Sequence, residues 1–120
     1  MKTKEIEVDG KKLTIWKMNF GFRSDYQSDT TTTRVSNEGG KSSREISIDN
    51  GKMMLMTLLY GIYESQDLGI PAIKDLESGF KPEEKEARLR KIRAIDINTD
   101  EVFNEINKLN SEVDEQVLKK

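Results

Sequence analysis

Residues 4–16, KEIEVDGKKLTIW, carry the clearest alternation of the chain: Ile6 and Val8 are interleaved with acids, Leu13 and Ile15 follow, and Asp9-Gly10 stands between the two runs. Asp-Gly suits the type I′ turn, whose twist matches that of the strands it joins. A two-residue turn at that point sets Val8 opposite Lys11, Ile6 opposite Leu13 and Lys4 opposite Ile15. Ile6, Val8, Leu13 and Ile15 then share one face, and Glu7 faces Lys12 on the other. The pattern predicts a β-hairpin with one buried face, which needs a second layer to be stable.

Farther along, NFGFRSDYQSD brings Phe20, Phe22 and Tyr26 close together and reads as a short helix or turn packing aromatics on the hairpin. From 27 to 45, Val35 is the only aliphatic residue. So polar a stretch cannot repay the entropy of ordering, so a mobile polar loop is expected, with 30–41 as a segment that orders on contact with a partner. ISID (46–49) is a short strand candidate, and Asp49 or Asn50 is placed to cap the helix that follows. Residues 52–64 are apolar on nearly every side, the pattern of a helix surrounded by other elements.

Gly69, Pro71, Gly79 and Pro82 punctuate the next stretch and allow a short helix over 71–78. Pro82 suits a first helical position, with Glu83 and Glu84 favourable to the helix dipole. That helix buries Leu89, Ile92 and Ile95 and turns a basic face outward. Asn98 with Glu101 forms a capping box for a last helix. In it Val102, Ile106, Leu109, Val113 and Val117 recur at spacings of four, three, four and four. The whole reads as α+β: an N-terminal β-hairpin packed on a mainly helical body with a buried central helix. It forms one domain, with hairpin and aromatic turn over 1–26, the polar loop over 27–45 and the helical part over 46–120.

Composition narrows the chemistry. With 120 residues and 34% hydrophobic content, one core is expected. Cysteine and histidine are both absent, which excludes disulfides, thiolate metal sites, and histidine as base, ligand or triad member. No carboxylate sits in an apolar context that would raise its pKa for acid catalysis, so an enzyme is not expected, nor a cofactor. The net charge is −2, too little to draw nucleic acid or anionic lipid to the whole chain. The apolar run 53–63 is about half the roughly 20 residues of a bilayer span, and the N-terminus lacks a signal peptide's apolar stretch. The expectation is a soluble intracellular protein without membrane contact.

Several motif fragments fail on inspection. GGKS (39–42) ends like a phosphate-binding loop, but Val35 stands where its first glycine belongs. Asp96, Asn98 and Asp100 open like a calcium loop, but Glu101 replaces the glycine and Asn107 the bidentate glutamate. Ser78 and Lys81 fit a serine-x-x-lysine pattern without its companion motifs. KPEEKEARLRKIR (81–93) has six basic and three acidic residues. It lacks the stacking aromatics of a nucleic-acid surface and reads as a solvated helix face.

The order of these features resembles the tail assembly chaperones of long-tailed phages and prophages. A short charged strand pair (EIEVDGKKLTIWKMNFGFR) is followed by a polar interruption, an aspartate-led apolar helix (IDNGKMMLMTLLYGIYES) and a closing helix ending in INKLNS. The resemblance spans residues 5–111, and the insert over 30–43 is not something the pattern requires. It implies a non-catalytic protein of the host cytoplasm that coats the tape measure protein, recruits the major tail protein and is absent from the mature virion. A frameshifted longer product is common in such genes, and Lys119-Lys120 is compatible with one. Partner contact is expected through Val102, Phe103, Ile106, Leu109, Val113 and Val117, together with self-association, although for the first four closing the core is the favoured reading. Two alternatives stand beside it: a small nucleic-acid-binding regulator using Lys81, Lys85, Arg88 and Lys91, and a structural adaptor of the virion.

Overall fold

The structure, a computed structural model, describes residues 1–38, 41–48 and 50–111, with side chains over 1–30 and 51–111. The fold is α+β. Strands β1 (Thr3–Val8) and β2 (Lys11–Trp16) form the N-terminal hairpin, and β5 (Ile62–Glu64) joins them in a three-stranded antiparallel sheet ordered β1-β2-β5. The hairpin register is the one read from the sequence, with Val8 on Lys11, Ile6 on Leu13 and Lys4 on Ile15. Asp9 and Gly10 both have positive φ, 51° and 80°, as a type I′ turn demands.

Helix α1 (Phe20–Thr30) runs for 11 residues and is capped by Asn19, whose side-chain oxygen accepts from the Phe22 amide at 2.9 Å. It leads straight into β3 (Thr31–Glu38), which pairs over its full length with β4 (Lys41–Ile48) in a separate two-stranded sheet. A mobile polar loop is thus expected over 27–45, and the structure has the end of α1 followed by a β-ribbon there. Two features favour strands: the β-branched run of threonines with Val35, and Gly39-Gly40 in sequence between the paired Glu38 and Lys41. Aliphatic content alone does not register either.

Helix α2 (Asn50–Gly61) is the buried centre, packed by α1, α3 (Pro82–Arg93), α4 (Thr99–Asn110) and β5. Met56 through Ile62 are all buried, whereas Met53, Met54 and Leu55 are partly covered. Its capping by Asp49 or Asn50 lies outside the residues whose side chains are described. The expected helix over 52–64 stops three residues early, at Gly61, because the chain switches directly into β5. Nor do residues 71–78 form a helix. The Asp75 carboxylate accepts from the amides of Glu77 and Ser78, a side-chain turn that competes with helical bonding.

The core joins both layers. Val8, Leu13 and Ile15 from the hairpin, Leu58, Leu59 and Ile62 from α2–β5, Ile92 from α3, and Val102, Ile106 and Leu109 from α4 are all buried in one cluster. Trp16, next to Ile15 on the strand, is buried as well, against Phe22 and Tyr63. Both faces of β2 are therefore covered at its end, where a single buried face is expected. Leu89 and Ile95 pack on the edge of the cluster.

Candidate functional site

Helix α3 carries the side chain that departs furthest from expectation. Arg88, expected on a solvated basic face, is only 2% exposed. Its Nε donates to the Leu59 carbonyl at 3.2 Å, Nη1 to Pro71 at 2.7 Å, and Nη2 to Ile62 and Tyr63. The end of α2 leaves carbonyls without intrahelical partners, and the guanidinium closes them where the chain passes into β5. From the other side, Trp16 Nε1 donates to the Tyr60 carbonyl at 2.8 Å. Burial lowers the Arg88 pKa to about 10. A positive charge at the negative end of the α2 dipole offsets part of that cost.

A polar cluster links α1, α2 and α3. The Tyr60 hydroxyl donates to Asp29 Oδ2 at 2.5 Å, and Lys85 Nζ reaches the same oxygen at 2.6 Å. The Lys85 ammonium also sits 5.6 Å from the Tyr60 ring centroid. Partial burial works against the Asp29 carboxylate, but hydrogen bonds from Lys85 and Tyr60 outweigh it and hold its pKa below the usual value. Burial, then the bond to Asp29, pushes the Tyr60 phenol up. The carboxylate is thus held ionised and the phenol protonated, the opposite of an acid–base pair poised to exchange a proton near neutral pH. One turn earlier on α2, the Thr57 hydroxyl donates to the Met53 carbonyl and is bonded to the Tyr26 hydroxyl at 2.9 Å.

These contacts dismantle the basic face on which a nucleic-acid reading rests. Arg88 is inside, Lys85 is paired with Asp29, and Arg90 is paired with Glu86 at 2.6 Å. Lys81, Lys91 and Arg93 stay exposed; Lys81 and Lys91, with Lys74, line a groove of about 490 Å³ beside Pro71 and Ala87, and Asp75, Glu83 and Glu84 line the same groove. Among the described residues, no group of three or more acidic side chains could hold a metal ion.

The residues expected to meet a partner fall into three groups. Val102, Ile106 and Leu109 are buried and close the core. Their spacing records the packing of α4 on α2 and the hairpin. Phe103 is half-buried on the flank of α4. Val113 and Val117 lie outside the described residues.

Sequence reasoning placed Phe20 among packing aromatics, yet it is 88% exposed at the first position of α1. The end of α4 is fastened close by. Asn110 accepts from the Met18 amide at 2.8 Å and donates to the Trp16 carbonyl at 3.1 Å. Phe103, Asn107 and Asn110, spaced by four and three, run along one flank of α4 toward this junction. Asn19 extends the tie by donating to the Leu76 carbonyl at 2.7 Å. An exposed aromatic thus stands two residues along the chain from Met18, whose amide is tied to the end of α4.

No family model, curated protein or solved structure matches the chain. No helix among the described residues is long and apolar enough to cross a membrane.

Proposed function

We propose that the chain is a non-catalytic tail assembly chaperone of a phage or prophage, binding the tape measure protein and the major tail protein in the host cytoplasm and leaving before the virion is complete. The observation that carries the protein-binding part is the exposed Phe20, two residues from Met18 where the end of α4 is tied; among the described side chains Met1 is the other large apolar one that stands exposed. The order of elements, strand pair, apolar helix and closing helix, supports the tail chaperone part through its resemblance to that family. A chaperone for a long apolar client needs a soluble body, an apolar contact and no reacting group, and the ionised Asp29 with the protonated Tyr60 suits that requirement.

Co-expression with the tape measure protein of the same phage, followed by capture on the tagged chain, tests the reading. A complex is expected, weakened by Phe20→Asp and Phe103→Asp while the thermal midpoint of the Phe20 variant stays where it was. Absence of any complex with tape measure or major tail protein would overturn it. The nucleic-acid alternative predicts binding to duplex DNA at low salt that falls steeply as salt rises. The burial of Arg88 and the pairing of Lys85 with Asp29 argue against that outcome.

A further inference from the structure

The ribbon of β3 and β4 is a two-stranded sheet whose strands, eight residues on each side, pair with each other and with no other strand among the described residues. Two strands alone are marginal in water, and each presents an outer row of amide and carbonyl groups. The register fixes which residues supply that row. Glu38 and Lys41 flank a two-residue connection and form the closing hydrogen-bonded pair. The inward positions are therefore Thr32, Arg34, Ser36 and Glu38 on β3, and Lys41, Ser43, Glu45 and Ser47 on β4. The alternate positions, which include Thr33 on β3 and Arg44 on β4, direct their backbone groups outward.

We propose that these edges join copies of the chain, the outer edge of β3 in one copy pairing antiparallel with the outer edge of β4 in the next. Charge complementarity selects both the occupant and the pairing. Within the ribbon, Arg34 stands opposite Glu45 and Glu38 opposite Lys41. Outer-edge pairing of β3 on β4 in the same register repeats both pairs between copies, aligns all eight positions and sets no like charges opposite one another. Like-on-like pairing does worse. Long overlaps of β4 on β4 set Glu45 opposite Glu45 or Arg44 opposite Arg44. Long overlaps of β3 on β3 set Arg34 opposite Arg34 or Ser36 and form no ion pair, and the slip that sets Arg34 opposite Glu38 aligns only five positions.

A β3-to-β4 contact is head-to-tail, so it does not close at two copies and each added chain leaves the same two edges free. The inference goes beyond the client-binding reading and does not depend on it.

Proline at an outward position removes one edge amide and spares the inner ladder, which gives two edge-specific variants, Thr33→Pro and Arg44→Pro. Light scattering over a concentration series reads the result, with the near-ultraviolet signal of Trp16 confirming that the body is folded. The wild-type mass is expected to grow with concentration beyond twofold. Each variant alone is expected to stay at one chain, 13.8 kDa. An equimolar mixture is expected to stop at twofold, because the intact β3 edge of one variant fits the intact β4 edge of the other. A mixture in which nothing forms, a wild-type chain that stays single, or homodimers of either variant would overturn the proposal.

Discussion

Gly61 of α2 lies against Ile106 of α4 with no room for a methyl group. A Cβ at position 61 would stand 2.9 Å from Ile106 Cδ1 and closer still to Cγ2. The contact sets the separation of the two helices at the point where α2 gives way to β5, and Ile106 is fully enclosed there.

Gly61→Ala therefore opposes two effects. Alanine is favoured over glycine in a helix by about 1 kcal/mol, but overpacking a closed core costs about 1–3 kcal/mol. Ile106 Cγ2 is held directly on a buried Cβ and has nowhere to rotate, so destabilisation is expected to win. Urea unfolding checks the sign. In an Ile106→Ala background the same substitution should turn stabilising, and a double-mutant cycle that shows no coupling would refute the contact.

Arg88→Met keeps the length of the side chain and removes its donors. The carbonyls of Leu59, Ile62 and Pro71 would lose a buried partner, each at about 1–3 kcal/mol, so a loss of more than about 3 kcal/mol is expected. Arg88→Lys should recover only part of it, because one ammonium cannot reach carbonyls spread over a helix end, a strand and a loop. If Arg88→Met unfolds at the wild-type urea midpoint, the guanidinium does not hold the α2–β5 junction.

The hairpin was legible because Asp9-Gly10 fixes turn and register together, and Asn98 was legible as a cap because its acceptor role is local, taking the Glu101 amide at 3.3 Å. The α2–β5 switch was not. Ile62 and Tyr63 continue the apolar run of α2, and what stops the helix comes from Arg88 and Trp16, far away in sequence. Arg88 itself sits among lysines and arginines, where nothing local marks one of them as buried. The ribbon was missed for another reason: its signals in the sequence are β-branched residues and opposite charges at facing positions of the register, which a count of aliphatic residues ignores. On the candidate surface, spacing showed which α4 residues share a face but not whether that face turns inward, and Val102, Ile106 and Leu109 turned inward.

Stability should fall on the acid side in a way that Asp29 contributes to. Its folded pKa lies below the unfolded value near 3.8, so its contribution is full above that pH and disappears as pH falls toward the folded pKa. Asp75 and Glu105 are shifted in the same direction, by the Ser78 and Glu77 amides and by Lys4. On the alkaline side the raised Tyr60 phenol has the opposite sign: its contribution is full below pH 10 and lost as pH rises. Asp29→Asn should cost about 1 kcal/mol or less at pH 7, since the pair with Lys85 is partly exposed, and should flatten the acid limb. Thermal midpoints from pH 2 to 7 measure both, and an unchanged acid limb would remove Asp29 from the account.

Asp9 does two things at once, and substitutions can separate them. Its backbone occupies positive φ in the hairpin turn, and its carboxylate accepts from the Asn98 amide at 2.8 Å, fastening the turn to the start of α4. The capping box expected at Asn98 is thus completed from the hairpin: Asn98 takes the Glu101 amide, and Asp9 takes the Asn98 amide. Asp9→Gly keeps the backbone freedom and loses the acceptor, so it reports the lost hydrogen bond, about 0.5–1.5 kcal/mol. Asp9→Ala loses the acceptor and strains the turn as well, and should be the less stable of the two. Asp9→Asn keeps an acceptor and tolerates positive φ, so it should lie nearest the wild type. Urea midpoints falling in the order Asn, Gly, Ala would show that both roles hold, whereas equal midpoints for Gly and Ala would leave only the cap.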